Sequence, residues 1–300
     1  MEGKVSEKVL QEALKAFSAL GRKRLLEIFS GAFKGVLAAS DAAYLQKEEN
    51  ISKKALLSAL LPLAKTFARP VISKFYVGAI AEGESGDIYL GANLEFPFST
   101  LNQTVHAEQA ALTLLLSHEE KVKSLAITAA PCGHCRQFMA ELWHTDFFIY
   151  ADGEKTSLAD LLPQKFGPKD LGQKGGLGYP QKNLLDLDRI KTKNPLERAA
   201  LQAAASAYAP YSKSYAGVAI KTSSGKIFKG SYLENAAFNP SLGPLQAALI
   251  SLNMAFYEAS DIKEAVLAAD KDHLVSHLQA SRALFKNLCG KNLGFIATCS

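Results

Sequence analysis

Two short stretches hold side chains able to grip a metal and move a proton. "HAEQAAL", residues 106–112, sets His106 and Glu108 two places apart at the head of an apolar run, and "PCGHC", residues 131–135, holds Cys132 and Cys135. One imidazole and two thiolates fill three corners of a zinc tetrahedron and leave the fourth for water, as a catalytic site requires. Two cysteines three apart at a helix start project from one side and can chelate together. Residues two apart do not face each other along a helix body, but His106 and Glu108 can converge on a metal lying over the helix's N-terminal tip. Both helices then aim their positive ends at the ion. Two thiolates nearly cancel the zinc charge and make its water less acidic, so these dipoles and an adjacent carboxylate have to assist. Glu108 is placed to accept that proton. Pro131 suits the helix entry, where it gives up no needed N–H. The plainer alternatives are a structural metal and an ordinary first-turn carboxylate.

Positioning these groups calls for layered α/β architecture. Residues 51–150 read as a helix ("KKALLSALLPLAKTFA"), strands "FYVGAIA" and "DIYLGAN" joined by a turn at Gly83 and Gly86, and a helix from His106. Strand "SLAITAA", a helix from Cys132 and strand "FFIYAD" follow. Together they predict a mixed sheet with helices packed on it. Ahead of this domain, apolar residues at helical spacing (Val9, Leu10, Ala13, Leu14, Phe17, then Leu25, Leu26, Phe29) predict a small leading helical unit over 1–50. After it, the glycine- and proline-rich stretch 153–194 reads as an extended linker.

The last third repeats the second. "FYVGAIAEGESGDIYLGANLE" runs parallel to "SYAGVAIKTSSGKIFKGSYLE", pairing Gly78 with Gly217, Gly86 with Gly225, Gly91 with Gly230 and Glu95 with Glu234, each pair 139 residues apart. Aligning the two "QAAL" segments sets Gly243 opposite His106 and Leu245 opposite Glu108. Ser214 stands opposite Phe75 and Tyr232 opposite Asn93, and no CxxC follows. Residues 195–300 are therefore expected to be a degenerate, non-catalytic copy of the domain at 51–152.

Composition narrows the classes of function. The chain is 48% apolar and 21% charged with a formal charge of +5, and its lysines and arginines are scattered, which argues against a nucleic-acid face. "ALLSALLPLAKTFA" is broken by Pro62 and Lys65 and falls short of the roughly 20 residues of a membrane span. The start is charged and unlike a signal peptide, and the four cysteines form no disulfide framework, so a reducing, cytoplasmic setting is expected. Cys289 and Cys299 read as plain small residues; His118, His144, His273 and His277, without partners at metal spacing, are expected at the surface.

With "KFYVGAI", "GANLEF", "TVHAEQAAL", "PCGHCRQFM", "FGPKDL" and "ENAAFNP" in place, the chain resembles the long, two-domain bacterial-type cytidine deaminases of the zinc cytidine/deoxycytidylate deaminase superfamily. The resemblance runs from about residue 50 to the end. It implies a three-layer α/β/α mixed sheet, present twice, and hydrolysis of cytidine and deoxycytidine to uridine and deoxyuridine with release of ammonia, in pyrimidine salvage. It implies one zinc per chain on His106, Cys132 and Cys135, with Glu108 protonating N3 and then the leaving amino group. By the same likeness, Phe75 packs on the base, the N–H of Ala107 binds the base carbonyl, Asn93 and Glu95 grip the ribose, and Phe166 reaches the other subunit's site in a homodimer. The plainer alternatives are core packing for Phe75 and strand-end turns for Asn93 and Glu95. Ala129 and Ala130 depart from relatives with a tyrosine and a threonine there, which removes an aromatic contact. A deaminase of nucleotides or polynucleotides, or a non-catalytic zinc scaffold, are the competing functions.

Overall fold

The computed structural model of the chain describes residues 7–30, 33–179, 185, 190–271 and 273–298; Cys299 and part of the 153–194 stretch lie outside them. The leading unit forms α1 (Glu7–Ala13), α2 (Ala19–Ser30) and α3 (Ala39–Glu49). It also contributes a strand not anticipated from the sequence. The two-residue β1 (Val36–Leu37) pairs antiparallel with Tyr89 and Ile88, so the unit extends the main sheet. Leu14, Phe17, Leu25, Leu37 and Leu45 are all buried in the common core.

The first repeat runs α4 (Lys53–Lys65), β2 (Gly78–Gly83), β3 (Ile88–Ala92), α5 (Ala107–Leu116), β4 (Val122–Ile127), α6 (Gly133–Ala140) and β5 (Phe148–Ala151). After β6 (Glu154–Ser157) and the short α7 (Leu158–Leu161), the second repeats that order: α8 (Pro195–Ala205), β7 (Ala216–Thr222), β8 (Ile227–Ser231), α9 (Pro244–Met254), β9 (Ile262–Ala269), α10 (Leu278–Cys289) and β10 (Gly294–Ala297). The sheets are ordered β1-β3-β2-β4-β5-β6 and β10-β9-β7-β8. In each, the first two strands form an antiparallel hairpin, the third pairs antiparallel with the first, and the fourth pairs parallel with the third.

The matched glycines mark where helices press on the sheets. A Cβ on Gly78 would lie 2.6 Å from the Lys65 backbone nitrogen, and one on Gly217 2.1 Å from that of Ala204. On the other side, a Cβ on Gly91 would meet the Ala111 nitrogen at 2.2 Å, and one on Gly230 that of Ala248 at 2.0 Å. Gly91 pairs with Ala79, the neighbour of Gly78, and neighbours along a strand point to opposite faces. Hence α4 and α5 sandwich the first sheet, α8 and α9 the second, and each repeat has three layers.

The stretch expected to be an extended linker is partly built into the first repeat. β6 pairs antiparallel with β5, Ser157 and Asp160 cap α7, and Leu177 bridges to Leu142. The two repeats share one hydrophobic core, with Phe67 and Phe256 rings 4.8 Å apart and Asn253 donating to the Phe67 carbonyl at 2.9 Å. Among the described residues no helix is long and apolar enough to cross a membrane.

Candidate active site

Strand register gathers the predicted residues at one end of the first sheet. Gly78 pairs with Ala92 and Ala79 with Ile127, so the segments entering β2 and leaving β3 and β4 emerge side by side. They carry Phe75, Asn93, Glu95 and Cys132. His106 is the extended N-cap of α5 (φ −88°, ψ 156°) and Cys132 that of α6 (φ −70°, ψ 167°), with Cys135 in the first turn. Helix N-termini leave backbone N–H groups without intrahelical acceptors and carry the positive end of the dipole. Ala107, buried, opens α5 with such an N–H.

Two residues that steady these tips were not singled out from the sequence. Gln109 accepts from the His106 N–H at 3.2 Å, the N3 glutamine of a capping arrangement readable in "HAEQ". Arg136 donates to the Pro131 carbonyl at 2.8 Å and the Leu161 carbonyl at 2.9 Å, fixing the approach to α6. Nothing in the spacing marks it.

His106 Nδ1 lies 3.3 Å from each cysteine sulfur, and all three donor atoms fall within 4.8 Å of one another. Zinc bonds of about 2.3 Å to sulfur and about 2.0 Å to nitrogen set tetrahedral donors roughly 3.5 Å apart, so the triangle fits the ion. Among the described residues the donor group comprises these three side chains.

The electrostatics suit a cation there. Hydrogen bonds from the Cys135 thiol and from His106 bring Cys132 down to about 3, so it is a thiolate at neutral pH. Cys132 and then burial push Cys135 up, leaving one proton held between the sulfurs for a divalent cation to displace. The bond to Cys132 raises His106. Glu108, 4% exposed, has its carboxyl raised by burial, against the pull of His106 and Cys135.

Of the other predicted residues, Glu95 lies close enough for its charge to act on His106, and two already hold backbone. Asn93, buried, donates to the Phe75 carbonyl and accepts from the Val77 N–H, both at 2.9 Å. Glu95 accepts from the N–H groups of Ile72 (2.7 Å) and Ser73 (2.8 Å) and from the Ser73 hydroxyl. Against the upward push of partial burial, those bonds hold its carboxyl below the ordinary range. Phe75 is 61% exposed, not packed in the core. Phe166 is half-exposed, its carbonyl accepting from Gln137 at 2.6 Å.

In the second repeat, Glu234 holds the same turn as Glu95, accepting from the Tyr211 and Ser212 N–H groups at 2.8 and 3.1 Å. Gly243 caps α9, and Leu245 is fully buried. The place of Phe75 and Asn93 is filled by side chains, with Ser214 donating to the Val275 carbonyl at 2.7 Å and the Tyr232 ring 4.1 Å from that of His277. His277, expected at the surface, is thus packed inward, its buried Nε2 without a hydrogen-bond partner among the described residues.

Residues 51–151 match a family model described as the cytidine and deoxycytidylate deaminase zinc-binding region, and residues 158–282 match a second model of that description. The chain is 43% identical to a cytidine deaminase of Aliivibrio fischeri over 282 residues, covering 93% of this chain and 94% of that one. It is 45% identical to a cytidine deaminase of Proteus mirabilis over 260 residues, covering 84% and 85%. Among solved structures, cytidine deaminase from Mycobacterium tuberculosis is 28% identical with a TM-score of 0.35, covering 39% of this chain and 98% of that one.

Proposed function

This chain belongs to the cytidine deaminase family, and from that premise we infer a zinc hydrolase that converts cytidine and deoxycytidine to uridine and deoxyuridine with release of ammonia. The observation that carries this reading is the donor triangle of His106, Cys132 and Cys135 over two helix tips, beside the buried Glu108.

His106, Cys132 and Cys135 would hold one zinc per chain, and the ion would supply an acidified water as the nucleophile toward C4 of the pyrimidine. The rest falls to protein groups. Glu108 accepts the proton of that water, delivers it to N3 and carries the next to the leaving amino group; burial, which raises its carboxyl toward the working pH, favours such shuttling. The Ala107 N–H donates to the base carbonyl and Phe75 covers the base. Asn93 and Glu95 take the ribose hydroxyls with the lone pairs and the N–H that their turns leave over. Phe166 completes the site of the other subunit in a homodimer, an assignment its exposed ring supports. A nucleoside is the preferred substrate over a nucleotide or nucleic acid, because the Glu95 carboxylate beside the sugar repels phosphate. A cytoplasmic setting, where thiolates stay reduced, suits the ligand set and a place in pyrimidine salvage.

The test compares turnover of cytidine, its 5′-monophosphate and a short cytosine-containing single strand, with zinc assayed in the same sample. Cytidine is expected to lead. Faster turnover of the phosphorylated forms would move the activity to nucleotides, and zinc retained without ammonia from any substrate would leave only a scaffold. Light scattering at the mass of a single chain would count against the dimer.

A further inference from the structure

α6 carries the cysteine pair, and the residue after its last turn, Glu141, is fully buried. Its carboxylate is taken up by the second repeat. One oxygen accepts from the Tyr208 hydroxyl at 2.7 Å and the Tyr211 hydroxyl at 2.5 Å; the other accepts from the Ala236 N–H at 2.7 Å. Burial, with that carboxylate beside them, pushes both phenols up, so they remain donors. One turn back on α6, the Gln137 carbonyl accepts from the Asn235 side chain at 3.0 Å, and the two amides meet at 3.4 Å. A buried carboxylate persists only where its partners are well placed. This one is met by three donors.

The imidazole half of the ligand set is tied to the same loop. Gln109, which holds the His106 N–H, donates from its other end to the Pro240 carbonyl at 3.3 Å. Residues 235–240 of the second repeat therefore touch both helices that present metal ligands, α5 through Gln109 and α6 through Gln137 and Glu141.

We propose that this loop, gripped together with Tyr208 and Tyr211 through Glu141, is the positioning element of the metal site. It sets α6 against α5 and so the spacing between His106 Nδ1 and the two sulfurs, with Glu141 acting as a positioning residue that never meets the substrate. The proposal rests on the zinc-hydrolase reading. It gives the repeat that lost its ligands and its acid/base a task inside its own chain's site.

The test uses the full chain carrying Glu141→Gln or Tyr211→Phe, each prepared with zinc and with cobalt(II) in its place. Glu141→Gln turns one acceptor oxygen into a donor facing donors, whereas Tyr211→Phe removes one hydroxyl and keeps the ring. Both are expected to shift the visible ligand-field bands of cobalt and to speed metal loss to a chelator about 10–100-fold. Turnover per bound metal should fall in the same range, with KM moving far less. A lowered melting temperature alone, with cobalt spectrum, metal loss and turnover per metal all as in the unaltered protein, would overturn the proposal. Should Glu141→Gln not fold, Tyr211→Phe decides by the same measures. Failure of the underlying reading shows elsewhere, in an unaltered protein that holds no zinc or frees no ammonia from cytidine.

Discussion

His106 and Gly243 occupy one position in two copies of a domain. Each is the extended N-cap of the helix laid across its sheet, with φ and ψ of −88° and 156° at His106 and −64° and 150° at Gly243. One backbone geometry thus serves the proposed metal ligand in one copy and a residue without a side chain in the other. The architecture that supports the site is separable from its chemistry, and each can be tested alone.

Chemistry alone is probed by Glu108→Gln. The amide keeps the shape of the buried side chain but cannot take a proton from water. Zinc content and melting temperature are expected to stay near their original values while turnover of cytidine drops about 10²–10⁴-fold. Near-normal turnover would remove Glu108 from the proton path.

Metal binding and stability should be lost together in Cys132→Ala. Two donors hold zinc poorly, and an ion that binds the folded chain alone stabilises it, by about 4 kcal/mol when free metal is about a thousandfold above its dissociation constant. The variant is expected to carry well under one zinc per chain and to melt lower, with a melting temperature that chelators no longer change. A fully metallated variant would contradict the ligand set.

What the sequence disclosed follows from how local each requirement is. Chelation needs particular side chains at particular offsets, and the repeated glycines are imposed by helices close in sequence, so both were readable in "HAEQ", "PCGHC" and the matched segments. β6 was readable too, since the Asp152–Gly153 turn folds it straight back on β5 with Ala151 opposite Glu154, a hairpin signal that the linker expectation overrode. The Leu142–Leu177 bridge was not, because a residue far along the chain orders it. Glu141 was invisible for the same reason: a carboxylate after a helix reads as solvated, while its partners lie 67, 70 and 95 residues away. Asn93 and Glu95 admitted two readings, and their backbone bonds together with the matching Glu234 turn give the turn reading a physical basis alongside any contact with ribose.

His277 should give the protein an acid-sensitive step. Burial lowers its imidazole to about 4, with the Tyr232 ring packed on it and Glu234 hydrogen-bonded to the Tyr232 hydroxyl. The unfolded chain takes up that proton near pH 6.5, the folded chain only near 4. Between those values the unfolded state binds more protons, so this contribution is whole above about pH 6.5 and fades as pH falls toward 4. Melting temperatures across that range should decline less in His277→Phe than in the unaltered protein. Parallel curves would show that His277 does not titrate inside the fold.

Gly91 and Gly230 separate support from chemistry most cleanly. A methyl at either would strike helix backbone, 2.2 Å from the Ala111 nitrogen in the first repeat and 2.0 Å from that of Ala248 in the second. Backbone cannot rotate aside as a side chain can, so each helix must lift from its sheet. Overpacking of this kind costs about 1–3 kcal/mol, and the two alanine variants are expected to lose similar stability. Their consequences for the reaction should differ. The α5 displaced by Gly91→Ala begins at Ala107, beside His106 and Glu108; a Cβ on Gly91 would also press on the Ala107 carbonyl, at 2.4 Å. The α9 displaced by Gly230→Ala carries Gly243 and Leu245 at the matching places, which hold no ligand and no proton. Folded Gly91→Ala protein should therefore lose zinc faster and turn over more slowly per zinc, while Gly230→Ala protein melts lower with turnover per zinc far less affected. Equal chemical defects in both would mean that α9 bears on the site as directly as α5 does.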